Sequence, residues 1–125
     1  LEPVIGNVRG VSGGDPRDRI LFWDDHRLSI YWLTDNRAQP FDLARTRKQL
    51  FYSEEPIQQA FLNAEGTYVF FSTANGIRMV EVDQRGSTNA YEIVREQIDG
   101  FAFSAEEQIL YWMRGPALYR LKLES

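Results

Sequence analysis

Apolar positions fall along this chain in short runs, each closed by a polar or glycine-bearing break. The clearest pair is residues 68–71 (Tyr-Val-Phe-Phe) and 77–82 (Ile-Arg-Met-Val-Glu-Val), with Ala74-Asn75-Gly76 between them. Both runs are rich in β-branched and aromatic residues, which suit a pleated, buried surface. Asn75-Gly76 is a strong hairpin signal, because a two-residue type I′ turn needs positive φ at both central positions. The pattern predicts two antiparallel strands joined by a tight turn.

The hairpin recurs. A displacement of 41 residues sets Tyr68, Val69, Phe70 and Phe71 over Ile109, Leu110, Tyr111 and Trp112, and Ile77, Val80 and Val82 over Leu118, Leu121 and Leu123. A displacement of 49 in the other direction sets Ile20-Leu21-Phe22 over Val69-Phe70-Phe71, and Leu28, Ile30, Tyr31 and Leu33 over Ile77, Met79, Val80 and Val82. Turns then fall at Asp24-Asp25-His26, Ala74-Asn75-Gly76 and Arg114-Gly115-Pro116. A period of about 40 to 50 residues built from short strands is the signature of propeller blades. The runs are apolar on both pleat faces, where a half-exposed sheet would alternate. A blade held between two neighbours has this property; a sandwich or meander of similar hairpins is the competing architecture.

The expected fold is all-β. Residues 1–18, punctuated by Pro3, Gly6, Gly10, Gly13, Gly14 and Pro16, form a lead-in or edge strand, with 4–8 the best candidate for that strand. Residues 19–125 form the domain of three four-stranded antiparallel blades. The first has strands at 19–23 and 27–34 and an outer strand within 41–52, where 43–50 is alternatively a short helix without an apolar stripe. The second has 57–62, the hairpin and 89–95; the third has 98–104, 108–113 and 117–123 and lacks a fourth strand. Three blades make half a propeller and leave two apolar faces open to water. Two copies related by a two-fold would close a six-bladed ring, so a homodimer is expected.

Composition narrows the function classes. The 43% apolar and 14% aromatic content excludes a disordered chain, and no apolar run approaches the ~18 residues of a membrane-spanning helix. Eighteen acids against fourteen bases, with Arg45-Thr46-Arg47-Lys48 the longest basic cluster, argue against a nucleic-acid surface. Absence of cysteine removes disulfides, thiolate metal sites and cysteine nucleophiles together. The chain begins at Leu1 and reads as a piece of something longer or processed.

Arg45-Thr-Arg, Ser53-Glu-Glu-Pro-Ile57, Asn-Ala-Glu-Gly-Thr-Tyr-Val-Phe-Phe from Asn63, Asn75-Gly-Ile, Glu81-Val-Asp-Gln-Arg-Gly and Asn89 together resemble the TolB-type β-propeller. The likeness runs over residues 19–124 and is similar, more narrowly, to propeller repeats that follow PEGA domains in bacterial envelope proteins. It implies a binding or scaffold role in an extracytoplasmic setting, and it carries no catalytic motif onto this sequence. Members have six or more blades, against three here.

In a propeller, hairpin turns and the crossovers between blades emerge at one end, the usual ligand face. That end gathers Asp24, Asp25, His26, Asn75 and Arg114 from turns and Glu54, Glu55, Glu96 and Asp99 from crossovers. Two function classes follow. The first is a non-enzymatic binding or scaffold module for a protein or small-molecule ligand. The second is a hydrolase of phosphoester, ester or glycosidic bonds in the central tunnel, with His26, Asp24 and Asp25 as catalytic groups. There Asp24, Glu54, Glu96 and Asp99 would hold Ca2+ or another divalent cation through oxygen ligands. Turns are also acidic simply because Asp favours them. Gly10-Val11-Ser12-Gly13-Gly14 matches the G-x-S-x-G elbow, but Asp15-Pro16-Arg17-Asp18 gives no following helix, so a flexible lead-in is expected. Trp23, Trp32 and Trp112 are expected to pack between blades rather than form a ligand platform.

Overall fold

A computed structural model describes residues 6–12, 18–34, 44–63, 65–84, 90–104 and 106–123. Their regular structure is β throughout, with no helix. The strands are β1 (Gly10–Ser12), β2 (Arg19–Trp23), β3 (Arg27–Trp32), β4 (Arg47–Tyr52), β5 (Gln59–Leu62), β6 (Tyr68–Thr73), β7 (Gly76–Glu81), β8 (Ala90–Val94), β9 (Gly100–Ser104), β10 (Ile109–Arg114) and β11 (Ala117–Lys122). They form three antiparallel meanders: β1-β2-β3-β4, β5-β6-β7-β8 and β9-β10-β11. Among the described residues each strand pairs only with its neighbours in sequence.

The sheets stack in chain order. β5 touches both β1 and β2, β4 touches β7, and β9 touches β5. Sheet one meets sheet two through Leu21, Leu28, Ile30, Trp32 and Leu50 against Val69, Phe71, Val80 and Val82. Sheet two meets sheet three through Phe70 and Ile77 against Phe101 and Leu110. Sheet two thus buries alternate residues of β6 and β7 on opposite faces, which is why its runs carry apolar residues on both pleat faces. Aromatic pairs sit at both seams: Phe51 on Phe71, with ring centres 5.5 Å apart, and Phe61 on Phe101 at 5.1 Å.

The repeat extends to individual backbone hydrogen bonds. Arg9, Gln58 and Asp99 donate their N–H to Trp23, Ser72 and Met113, all at 2.8 Å. Leu33, Val82 and Leu123 donate to Asp18, Thr67 and Gln108 at 2.7–2.9 Å. Donors and acceptors in both sets are spaced 49 and then 41 residues apart, the displacements of the apolar pattern. The outer strands repeat as well: β4 and β8 each carry a register shift, at Leu28/Ser29 in the first sheet and at the corresponding Ile77/Arg78 in the second. Each shift leaves one extra apolar residue, Leu50 or Ile93, facing inward as a β-bulge.

Three local expectations are corrected. The edge strand is Gly10–Ser12, not 4–8: residues 6–8 are not extended strand, and 4 and 5 lie outside the described residues. Gly10 is required there because an added Cβ would lie 2.2 Å from the Trp23 indole, which covers it. Gly10-Val11-Ser12 is accordingly paired with β2 and not a flexible lead-in, with Ser12 opposite Leu21 in an extended strand. Residues 47–52 are strand, so the helical alternative for 43–50 fails; the pairing with β3 claims that backbone.

The β6–β7 turn also differs from type I′. Thr73 pairs with Gly76, so Ala74 and Asn75 occupy the loop and only Gly76 has positive φ, at 139°. The third hairpin has Gly115 at φ 58° followed by Pro116, the pattern of a type II′ turn.

Candidate functional site

The hairpin turns and the crossovers between sheets are bonded to each other at one end of the stack. Asp24 closes the first turn: its Oδ1 accepts N–H bonds from His26 (2.8 Å) and Arg27 (2.6 Å), the Asx arrangement that stabilises a tight reversal. Burial pushes the Asp24 carboxyl up, but the two amide bonds and the Arg27 guanidinium at 3.3 Å outweigh it and hold the group below the ordinary carboxylate range. Asp25 pairs with Arg9 at 3.3 Å.

The first crossover is anchored to this turn. Ser53 N–H donates to His26 O (2.6 Å) and Ile57 N–H to Asp25 O (2.7 Å). His26 Nδ1 lies 2.8 Å from the Ser53 carbonyl, and its ring stacks on Tyr52 with centres 5.7 Å apart. A carbonyl can only accept, so Nδ1 is the nitrogen that carries a proton in this contact.

Each crossover then reaches forward. Glu55 accepts a hydrogen bond from the Asn75 side chain in the second turn, and Glu96 accepts from Arg114 in the third. Glu55 and Glu96 are 41 residues apart and so hold the same place in the repeat, each followed two residues later by a buried isoleucine, Ile57 or Ile98. Asp99 Oδ2 adds a bond from Gly115 N–H at 2.7 Å. The seam between a crossover and the next turn is therefore zipped by a carboxylate twice over.

Of the nine residues singled out in the sequence, Asp24, Asp25 and His26 share a cleft of about 470 Å³ with Asn7, Arg9 and Arg27. Glu55, Asn75 and Glu96 line another of about 500 Å³ with Arg78, Glu92 and Arg95. Glu54, exposed, borders a cleft of about 250 Å³ beside Tyr52 and Arg78. Asp99 and Arg114 are held in the seam.

Among the described residues, no three His, Asp or Glu side chains stand together as metal ligands. Asp24, Glu54, Glu96 and Asp99, the expected ligands of Ca2+ or another divalent cation, are not gathered into such a group among the described residues, and Asp24, Glu96 and Asp99 each accept a hydrogen bond from a donor of this chain.

Arg78 is the prominent residue that the sequence reading passed over. It stands in an otherwise apolar part of β7, its guanidinium 5.0 Å from the centre of the Phe51 ring across the seam. Its Nε is buried without a hydrogen-bond partner among the described residues. A cation interrupting Gly-Ile-Arg-Met-Val was the available signal.

No protein-family model matches the chain, and comparison with curated proteins finds no similar sequence.

Proposed function

We propose that this chain is a binding or scaffold module of β-propeller type, its three sheets acting as successive blades and two copies closing a six-bladed ring. A partner protein or small molecule is engaged over the end where turns and crossovers meet. The observation that carries this reading is the contrast between repeat-equivalent residues inside and outside the stack. Ile77 is 0% exposed between sheets two and three, whereas Leu118, its equivalent on sheet three, is 71% exposed. Ala60 is 1% exposed at the inner seam, whereas its equivalent Val11 on sheet one is 65% exposed. The outer face of sheet three has the pattern that elsewhere receives the next sheet, and the outer face of sheet one has the pattern that elsewhere receives the previous one. Head-to-tail contact of two copies covers both. The resemblance to TolB-type propellers supports the same reading.

The test is solution mass by light scattering across a range of concentrations. A dimer of twice 14.5 kDa that dissociates in Leu118→Glu is the expected result. A monomer at all concentrations sinks the ring.

A hydrolase is the second reading, favoured by one observation: His26, anchored through Nδ1 to the Ser53 carbonyl, lines the 470 Å³ cleft beside Asp24 and Asp25. Hydrolysis of a panel of chromogenic esters, lost in His26→Gln, would support it. No turnover leaves the binding module.

A further inference from the structure

The edge of β11 differs from every other strand in its position of the repeat. β3 pairs with β4 and β7 with β8, whereas among the described residues β11 pairs with β10 alone. The alternation of antiparallel bonds decides which backbone groups are left over. Leu123 N–H donates to Gln108 O, so the bonding groups of Tyr119 and Leu121 point toward β10 and those of Leu118, Arg120 and Lys122 point outward. Trp32, which holds the place of Lys122 in sheet one, shows what such groups do when a strand is present. Its N–H donates to Thr46 O (2.9 Å), and its carbonyl accepts from Arg45 N–H (2.7 Å).

The side chains along this edge have a definite chemistry. Leu118, Arg120 and Lys122 lie on one face, all exposed, and β9, β10 and β11 contain no Asp or Glu. A strand beside them meets an apolar position and two cations at alternate residues.

We propose that the β11 edge docks an extended segment of a partner protein whose residues alternate acidic and apolar, added antiparallel as a fourth strand of this sheet. The β7–β8 register gives the alignment. Ile77 faces Val94, Met79 faces Tyr91 and Val80 faces Ala90, with Ile93 bulged between. Transferred to β11, a valine lies opposite Leu118 and an acid opposite Arg120. A second acid, two residues earlier in the partner, lies opposite Lys122. Opposite charges directly across a strand pair attract, and the backbone bonds supply the remainder. This docking is to the backbone edge of sheet three, whereas ring closure covers the face that Leu118, Arg120 and Lys122 share; the exchange pattern at the edge amides tells the two apart. The competing role of Arg120 and Lys122 is to keep the edge from pairing at all.

The probe is the hexapeptide Glu-Ala-Glu-Thr-Ile-Val, titrated into the whole chain and followed by amide NMR, with Lys-Ala-Lys-Thr-Ile-Val as its charge-reversed control. The expected result is saturable binding that slows hydrogen exchange at Leu118, Arg120 and Lys122 and leaves Tyr119 and Leu121 unchanged. The control peptide and the Arg120→Glu/Lys122→Glu chain, checked for its native melting transition, each bind at least about tenfold more weakly. Affinity falls as salt rises from about 0.05 to about 0.5 M. Binding indifferent to charge, protection at other amides, or no binding overturns the proposal. So does protection of the same amides that grows with protein concentration alone, which places a second copy on the edge.

Discussion

Gly76 is held by two constraints at once. Its φ of 139° lies in a region that side-chain-bearing residues avoid, and an added Cβ would sit 1.9 Å from the Val94 carbonyl oxygen. Gly76→Ala is expected to lose at least about 2 kcal/mol in urea unfolding, because the clash is with backbone that cannot rotate away. Gly115→Ala, at φ 58° with nothing within 4 Å of its Cβ, isolates the conformational penalty of about 1 kcal/mol. Asn63 is another buried linchpin: its Oδ1 accepts the N–H groups of Thr67 (2.8 Å) and Tyr68 (2.9 Å). Asn63→Leu removes that acceptor, and about 1–3 kcal/mol should be lost. For Asp24 the folded carboxyl is more acidic than the unfolded one, so its stabilising contribution is complete above the ordinary carboxylate pKa of about 3.9. It disappears as pH falls through the lower folded value. Thermal melts of Asp24→Asn should accordingly show a weaker acid-side decline than the parent chain.

At the level of the element, long apolar strands were legible and their exceptions were not. Residues 19–23 were readable as a strand because Ile20, Leu21, Phe22 and Trp23 have no other place to go. Gly10–Ser12 carries no apolar signal; it is a strand because β2 offers an edge and the Trp23 ring leaves room only for glycine. Asn75-Gly76 announced a reversal, but a dipeptide does not reveal which residues occupy the loop centre. The pairing of Thr73 with Gly76 moved the loop one residue toward the N-terminus. The candidate site was legible as a set of turn and crossover residues. Its wiring was not, since Glu55, Glu96 and Asp99 are taken by donors 16 to 20 residues away in the next turn, Asp24 by its own turn's amides and Asp25 by Arg9.

At the scale of the whole molecule, the two outer faces carry cations as well as apolar side chains. Arg120 and Lys122 lie on sheet three, and Arg47 lines a cleft of about 350 Å³ against sheet one, where Arg27 is paired with Asp24. The head-to-tail dimer proposed above would present like charges to one another, so, if it forms, it should tighten as salt rises over about 0.05–0.5 M. That dependence is opposite in sign to the one expected for an acidic strand on β11. Sedimentation at several salt concentrations reads the first, and the peptide titration reads the second.

Among the described residues each strand pairs with its sequence neighbours alone, and this has a bearing on how the chain reaches its native state. No early strand must wait for a distant partner, so the entropy lost in closing each loop stays small and folding is fast for an all-β protein. Sheet two, covered on both faces, is the natural nucleus. Sheet three, with one face and one edge uncovered by the described residues, has the least to hold it and should be the last to dock and the first to detach. The part of the protein best suited to receive a partner is thus the part whose own folding a partner would complete.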